Sequence, residues 1–347
     1  MSSQNHRKNI VVVGGSYAGS KAAELIAEKM HATHRTILVE KNTHFQHLFA
    51  FPRFAVVPTH EHKAFIPFFD AHRTLPAETK AVVNARVTEV HPDCVVLDHG
   101  DSPLPYEYLV MATGTKLSPP GTMLATAKSD SIAYFQKHQS SVKAADRIIV
   151  VGGGAVGIQL ATDIKDYHPN KSVTLVHSRG RLMHKFHPRM HEVLSERAKE
   201  LGIEVILDDR VQLPEDGFSN DGTPFDIVLK SGRVLPADLA IMATGQTPLS
   251  DPIRTLSPAS IAPSGFISVK RTLQLADDRF PRVFAIGDVA DTQGQKTARV
   301  GLAHADIVAN NIEALARGAT PEAEDNDSKA FKIHMSLGMV RRVRFRS

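Results

Sequence analysis

Residues 152–157 read GGGAVG, with Gly152, Gly154 and Gly157 at positions i, i+2 and i+5. That spacing suits a turn over a pyrophosphate. The first glycine makes a tight turn, the second admits a phosphate against the backbone, and the third lets helix and strand pack closely. Residues 14–19 read GGSYAG, with Gly14 and Gly19 in the outer places and Ser16 in the middle one. Gly15 keeps this turn lean, and the Ser16 hydroxyl can itself donate to phosphate. A helix starting at either loop offers free N–H groups and the positive end of its dipole to an anion. Glu40 lies 21 residues after Gly19, where a carboxylate accepts from an adenosine ribose. After Gly157 the matching place is His177, followed by Ser178 and Arg179. No acid stands there to repel a 2′-phosphate and Arg179 can bind one, so the reading leans to NADPH over NADH.

The elements that must carry these loops are legible. The apolar, β-branched run 10–13 (IVVV) suits a strand buried on both faces. Residues 18–30 read as a helix with Ala22, Leu25, Ile26 and Met30 on one face, and 36–39 (TILV) as the next strand. The unit then recurs: a strand at 148–151, the intact loop, a helix at 158–167 and a strand at 173–176. Two copies so far apart are two nucleotide-binding domains, not a solenoid. Residues 82–97 suggest antiparallel strands with a turn at 91–93, and 103–114 ends in MATG, as does 235–245. Each unit is therefore expected to carry its own antiparallel insert. Residues 119–121 and 245–248 are the expected hinges.

Composition narrows the chemistry. The chain has 347 residues, is 42% apolar, and carries a net charge of +4. No apolar run is long enough to span a bilayer, and the start MSSQNHRKN has neither a signal-peptide core nor a glycine for myristoylation. The expected location is cytoplasmic, with a peripheral membrane contact left open. The ending RRVRFRS is read as a solvated tail, with anionic lipid or nucleic acid as the other reading and nucleic acid disfavoured. A single cysteine, Cys94, excludes a dithiol relay and a disulfide framework; it is expected to be buried and structural. The 18 histidines, among them His44, His47, His60, His62, His184 and His187, lack a supporting Cys or acid cluster, so no metal is expected.

A third motif gives the combination its meaning. Residues 282–290 (RVFAIGDVA) form an apolar strand ending in Gly287–Asp288, with a helical stretch at 303–316. With the two loops, this resembles the flavoproteins that have two dinucleotide domains and glutathione-reductase-like topology. Within them the chain resembles the apoptosis-inducing-factor-like branch, including the ferroptosis-suppressor type of NAD(P)H:quinone reductase. The stretches VVVGGSYAGSKAA, IVVGGGAVGIQLATDI, SVTLVHSR, FAIGDVAD and GLAHADIVANNI carry the likeness, which spans roughly residues 9–315.

The resemblance implies an α/β fold of two Rossmann-like FAD/NAD(P)-binding domains, each with an antiparallel β insert, plus a short, truncated C-terminal region. It implies an FAD domain at 1–120 and 247–318, an NAD(P)H domain at 121–246, and a C-terminal region with a basic tail at 319–347. FAD and NADPH or NADH are the implied cofactors. The implied cofactor-binding set is Gly14, Gly15, Ser16, Gly19, Glu40, Lys41, Arg53, Val87, Thr113, Gly114, Gly152, Gly154, Gly157, His177, Arg179, Gly245, Gly287 and Asp288. Lys296 is implied beside the flavin ring and Gln159 near the nicotinamide. The implied reaction brings the nicotinamide to about 3–3.5 Å from the flavin and passes electrons directly to a small quinone-like acceptor. A tailoring oxidoreductase of specialised metabolism and a flavin-binding signalling or nucleic-acid-binding protein are the alternatives. Relatives continue with a third region beside the acceptor site. Here 331–338 begins such a strand and turn, and the chain stops soon after.

Overall fold

The computed structural model describes residues 7–68, 75–100, 102–326 and 332–346. They form two compact units. The first comprises residues up to 45, 67–116 and 247–329; the second comprises 46–66, 117–246 and 330–347.

The first unit is built on a five-stranded sheet with spatial order Val283–Ala285, Tyr108–Met111, Lys8–Val13, His34–Glu40, Lys80–Asn84. Every pairing is parallel. Parallel strands covered on both faces must be apolar throughout, and residues 10–13 are accordingly buried without alternation. The helix Tyr17–Met30 turns Ala22, Ile26, Ala27 and Met30 to the core, with Leu25 at its edge. The helix Ala298–Ala316 lies beside it, starting five residues before the expected stretch because Thr297 caps it through the Val300 N–H. The antiparallel insert is three-stranded: Val87–Val90, Cys94–Leu97 and Leu104–Pro105. Residues 82–84 were expected in that insert. They instead extend the parallel sheet, because Val82 and Val83 register against Leu38 and Val39.

The second unit repeats the plan with four parallel strands in the order Glu204–Ile206, Ser172–Val176, Arg147–Val151, Leu239–Met242. Its loop helix spans Ala155–Tyr167, and its insert is the hairpin Phe225–Val228 with Val234–Ala237. Two segments join this unit against expectation. Residues 46–66 belong to it because Phe51 and Phe65 bury themselves against Phe135, with ring centroids 5.2 and 5.8 Å away. Each such ring contributes about 1.5–3 kcal/mol by leaving water. The C-terminal residues also belong to it. Lys332–Ser336 and Arg342–Arg346 form an antiparallel hairpin whose Met335 and Leu337 enter the same core. The ending is thus a strand, with Arg341, Arg342 and Arg344 exposed to solvent as expected of a basic ending. No helix among the described residues is long and apolar enough to cross a membrane.

Candidate functional site

In the first unit the glycine loop is fixed by collisions that a side chain would cause. Gly14 has φ +105°, and a Cβ there would lie 2.4 Å from the Ala112 carbonyl oxygen. A Cβ on Gly19 would lie 1.8 Å from the Gly14 carbonyl oxygen, so helix and strand meet backbone to backbone. Ser16 is the helix N-cap in an extended conformation, yet its side chain makes no capping hydrogen bond. No acidic residue occupies the first turn. The helix end therefore keeps its positive potential and its outward N–H groups for an anion.

Glu40 ends the second strand, buried, with both oxygens engaged. The Gly15 N–H donates to one oxygen; the Asn42 N–H and side-chain amide donate to the other at 2.8 and 2.7 Å. Lys41 follows, its ammonium held below the usual lysine range by burial and by Arg86, with Lys116 adding to the same effect. Arg86 and Lys116, which sequence reasoning passed over, thus place further positive charge around Lys41. Val87 buries its side chain in the core of this unit. Thr113 donates through its hydroxyl to the Leu249 carbonyl at 2.6 Å, while Gly114 (φ +68°) has open space where a Cβ would be.

The Gly-Asp motif comes to the same place. Gly287 has φ +67°, and its Cβ would lie 3.1 Å from the Ala18 side chain; a Cβ on Gly301 would lie 3.0 Å from that same atom. Loop helix, motif and the helix Ala298–Ala316 therefore converge on Ala18. Burial raises the Asp288 carboxyl above the usual aspartate range, partly offset by Lys296. The Lys296 ammonium donates to the Ala290 carbonyl and sits 4.6 Å from the Phe266 ring centroid. Next to it, the Gln295 side-chain nitrogen is buried with no hydrogen-bond partner. A glycine cradle at a helix N-terminus, flanking cations and an orphaned buried donor fit a pyrophosphate-bearing group in this unit.

The second unit builds the loop again. Gly152 has φ +127°, and its Cβ would lie 2.3 Å from the Ala243 carbonyl oxygen; that of Gly157 would lie 1.9 Å from the Gly152 carbonyl oxygen. At Gly154 a Cβ would meet nothing within 4 Å. The middle glycine position is thus demanded by no protein neighbour, which explains how Ser16 is accommodated in the first loop. The position that is packed is the one before it. The Gly153 N–H donates to His177 Nδ1 at 3.0 Å, as the Gly15 N–H does to Glu40. His177 is therefore the structural counterpart of Glu40. Burial, with His184 and Arg179 nearby, lowers its pKa. Because Nδ1 accepts, the neutral ring carries its proton on Nε2. Arg179, Arg181, His184 and Lys185 lie exposed on the following loop. Asp208 stands beside Gly180, whose Cβ would be 2.9 Å from a carboxylate oxygen. Gly245 (φ +78°) again faces open space.

Two further expected site residues make contacts within the second unit. Arg53 makes a bidentate ion pair with Asp163 (2.7 and 3.1 Å) and donates to the Gly338 carbonyl at 2.8 Å. Asp163 is fully buried on the loop helix, where burial raises its carboxyl and Arg53 opposes the rise. Gln159 donates to the Ser336 hydroxyl at 3.1 Å. Both residues fasten the C-terminal hairpin to the second unit, a role legible only once that hairpin is seen. Cys94 is half-buried, and burial and Asp93 push its thiol up, away from the reactive thiolate.

The model for the pyridine nucleotide-disulphide oxidoreductase family matches residues 8–307. Apoptosis-inducing factor homolog B of Dictyostelium discoideum is 30% identical, over 90% of this chain and 83% of its own. The FAD-dependent oxidoreductase FVFD30 of Flammulina velutipes is 33% identical, over 74% and 78%. Among solved structures, a NAD-dependent persulfide reductase from A. fulgidus superposes with a TM-score of 0.74 at 21% identity, covering 95% of this chain. This chain spans only 62% of that reductase, and the likeness carries the fold alone.

Proposed function

The chain belongs to the pyridine nucleotide-disulphide oxidoreductase family, and we propose that it is an FAD-dependent NAD(P)H oxidoreductase that reduces a small quinone-like acceptor. The carrying observation is the pair of loops with one geometry and opposite acceptors, Glu40 in one and neutral His177 in the other. FAD is assigned to the first unit. There, the helix at Ser16 and the cations Lys41, Arg86 and Lys116 would hold its pyrophosphate, Glu40 its adenosine ribose, and Asp288 its ribityl hydroxyls. NAD(P)H is assigned to the second, where Arg179 and its basic neighbours favour a 2′-phosphate. Bound FAD supplies the two-electron chemistry that links hydride donor to acceptor. Lys296, close enough to Asp288 to act on its carboxyl, would supply positive charge to oppose the negative charge that reduction builds on the flavin. With a single cysteine, no dithiol relay lies between them.

The test is purification with FAD. A yellow protein whose visible bands bleach anaerobically with NADPH and return with a quinone is expected. A colourless protein that takes up no FAD refutes the reading, and bleaching without reoxidation by any quinone refutes the acceptor class. Arg179→Asp should raise KM for NADPH far more than for NADH; equal effects refute the cofactor preference.

A further inference from the structure

The Gly287–Asp288 motif is held from outside all three sequence motifs. The Gly287 N–H donates to His304 Nδ1 at 3.1 Å, and His304 is fully buried in the helix Ala298–Ala316. Because Nδ1 must accept, Nε2 carries the proton, and it faces Asp325 Oδ2 at 3.3 Å. Asp325 belongs to an irregular strap, residues 323–326, tied down along its length. Asn311 clamps Ala323 through both backbone groups, at 2.8 and 3.0 Å. The Asp325 N–H donates to the Arg271 carbonyl at 2.8 Å, and Arg271 pairs with Glu324 at 2.9 Å.

We propose that His304 and Asp325 are positioning residues for Gly287–Asp288, so that the strap sets how firmly the first unit retains its flavin. The inference rests on the FAD assignment above. A carboxylate that accepts from Nε2–H fixes the tautomer with Nδ1 free, as carboxylates do for imidazoles that ligate metals or take protons. With the other tautomer, a buried backbone N–H would face an N–H, and the glycine would leave the left-handed conformation that aims Asp288. Gly287 leaves little slack, since Ala18 lies 3.1 Å from its Cβ position.

The test uses the full chain with Asp325→Ala, His304→Leu and His304→Asn, whose amide oxygen can take the place of Nδ1. Amide hydrogen exchange of the FAD-free protein is followed at 286–289 and, as an internal control, at 14–19. FAD affinity and the visible circular dichroism of bound flavin are measured beside it. Asp325→Ala and His304→Leu should speed exchange at 286–289 but not at 14–19. They should weaken FAD about tenfold or more, the scale of one lost buried hydrogen bond, and change the flavin dichroism. His304→Asn should restore affinity to within about threefold of the parent. Unchanged exchange and affinity in Asp325→Ala, or His304→Asn as damaging as His304→Leu, overturns the proposal. If the parent binds no FAD, the functional reading fails instead, and the exchange data still decide whether the relay positions residues 286–289.

Discussion

Ser16→Ala separates what the first loop does for the fold from what it does for a ligand. A serine at a helix N-cap normally caps it, and its loss costs about 0.5–2 kcal/mol. Here the hydroxyl makes no capping bond. Alanine should therefore leave the stability of the FAD-free protein within about 0.5 kcal/mol, as for an uninvolved surface change. At the corresponding position in the second loop a Cβ would meet nothing within 4 Å. A hydroxyl in that place has a bound phosphate as its natural partner, and a hydrogen bond to a charged group contributes about 1.5–3 kcal/mol. The FAD dissociation constant should thus rise about 10- to 150-fold, at 1.4 kcal/mol per decade. Urea denaturation of the FAD-free protein gives the first quantity and fluorescence titration with FAD the second. A loss of more than about 1 kcal/mol of stability with unchanged FAD affinity would mean that the hydroxyl caps the helix after all.

Gly157→Ala pushes a Cβ to 1.9 Å from the Gly152 carbonyl oxygen and should cost at least about 3 kcal/mol; Gly154→Ala should fold normally, and urea midpoints of the two variants check the contrast. Arg53→Ala strands the buried Asp163 carboxylate and should cost about 3–5 kcal/mol. Its FAD stoichiometry should stay normal by absorbance, and loss of flavin without loss of stability would return Arg53 to the cofactor set. Asp288→Asn should change how stability depends on pH. The native Asp288 carboxyl is raised by burial, so it holds its proton at pH values where the unfolded chain, near 3.8, has lost its own. The FAD-free parent therefore loses stability as pH climbs from 3.8 through the raised native value, and the deficit persists above it. Asp288→Asn lacks that loss, so its advantage over the parent in urea midpoint should grow between pH 4 and pH 7. A constant difference would contradict the burial argument.

The loops, strands and loop helices were legible because their causes are local. Gly14, Gly19, Gly152 and Gly157 are dictated by backbone collisions that any sequence with this turn must avoid. The runs at 10–13 and 148–151 are apolar throughout because both faces are covered. What escaped reading depends on partners far along the chain. Val82 and Val83 look like the start of an insert until Leu38 and Val39 are known to lie beside them. Arg53 matched a position near the flavin, but it pairs with Asp163, 110 residues away. The ending RRVRFRS reads as a charged tail, and only the opposing strand Lys332–Ser336 makes it half of a hairpin. His304 lies within a recognised stretch, but nothing local shows that it accepts from Gly287 or faces Asp325.

The two loops also show which part of the nucleotide-binding pattern belongs to the protein and which to the ligand. The residue after the first glycine needs an acceptor for its N–H, and the end of the second strand supplies one in both units. A carboxylate meets that need in one case and an imidazole in the other, so the fold asks for a lone pair and not for a charge. Because its pKa is lowered, His177 keeps that lone pair near neutral pH without adding a charge of either sign. The charge at this position is therefore free to be chosen by the ligand. An anionic Glu40 suits a ribose with free hydroxyls. A neutral His177 followed by an exposed Arg179 suits a ribose that carries a phosphate. The same freedom applies at the middle glycine, where no protein atom objects to a side chain and Ser16 stands in one loop where Gly154 stands in the other. At both positions the two units differ in the side chain they present, while the glycines that hold helix against strand are kept in each.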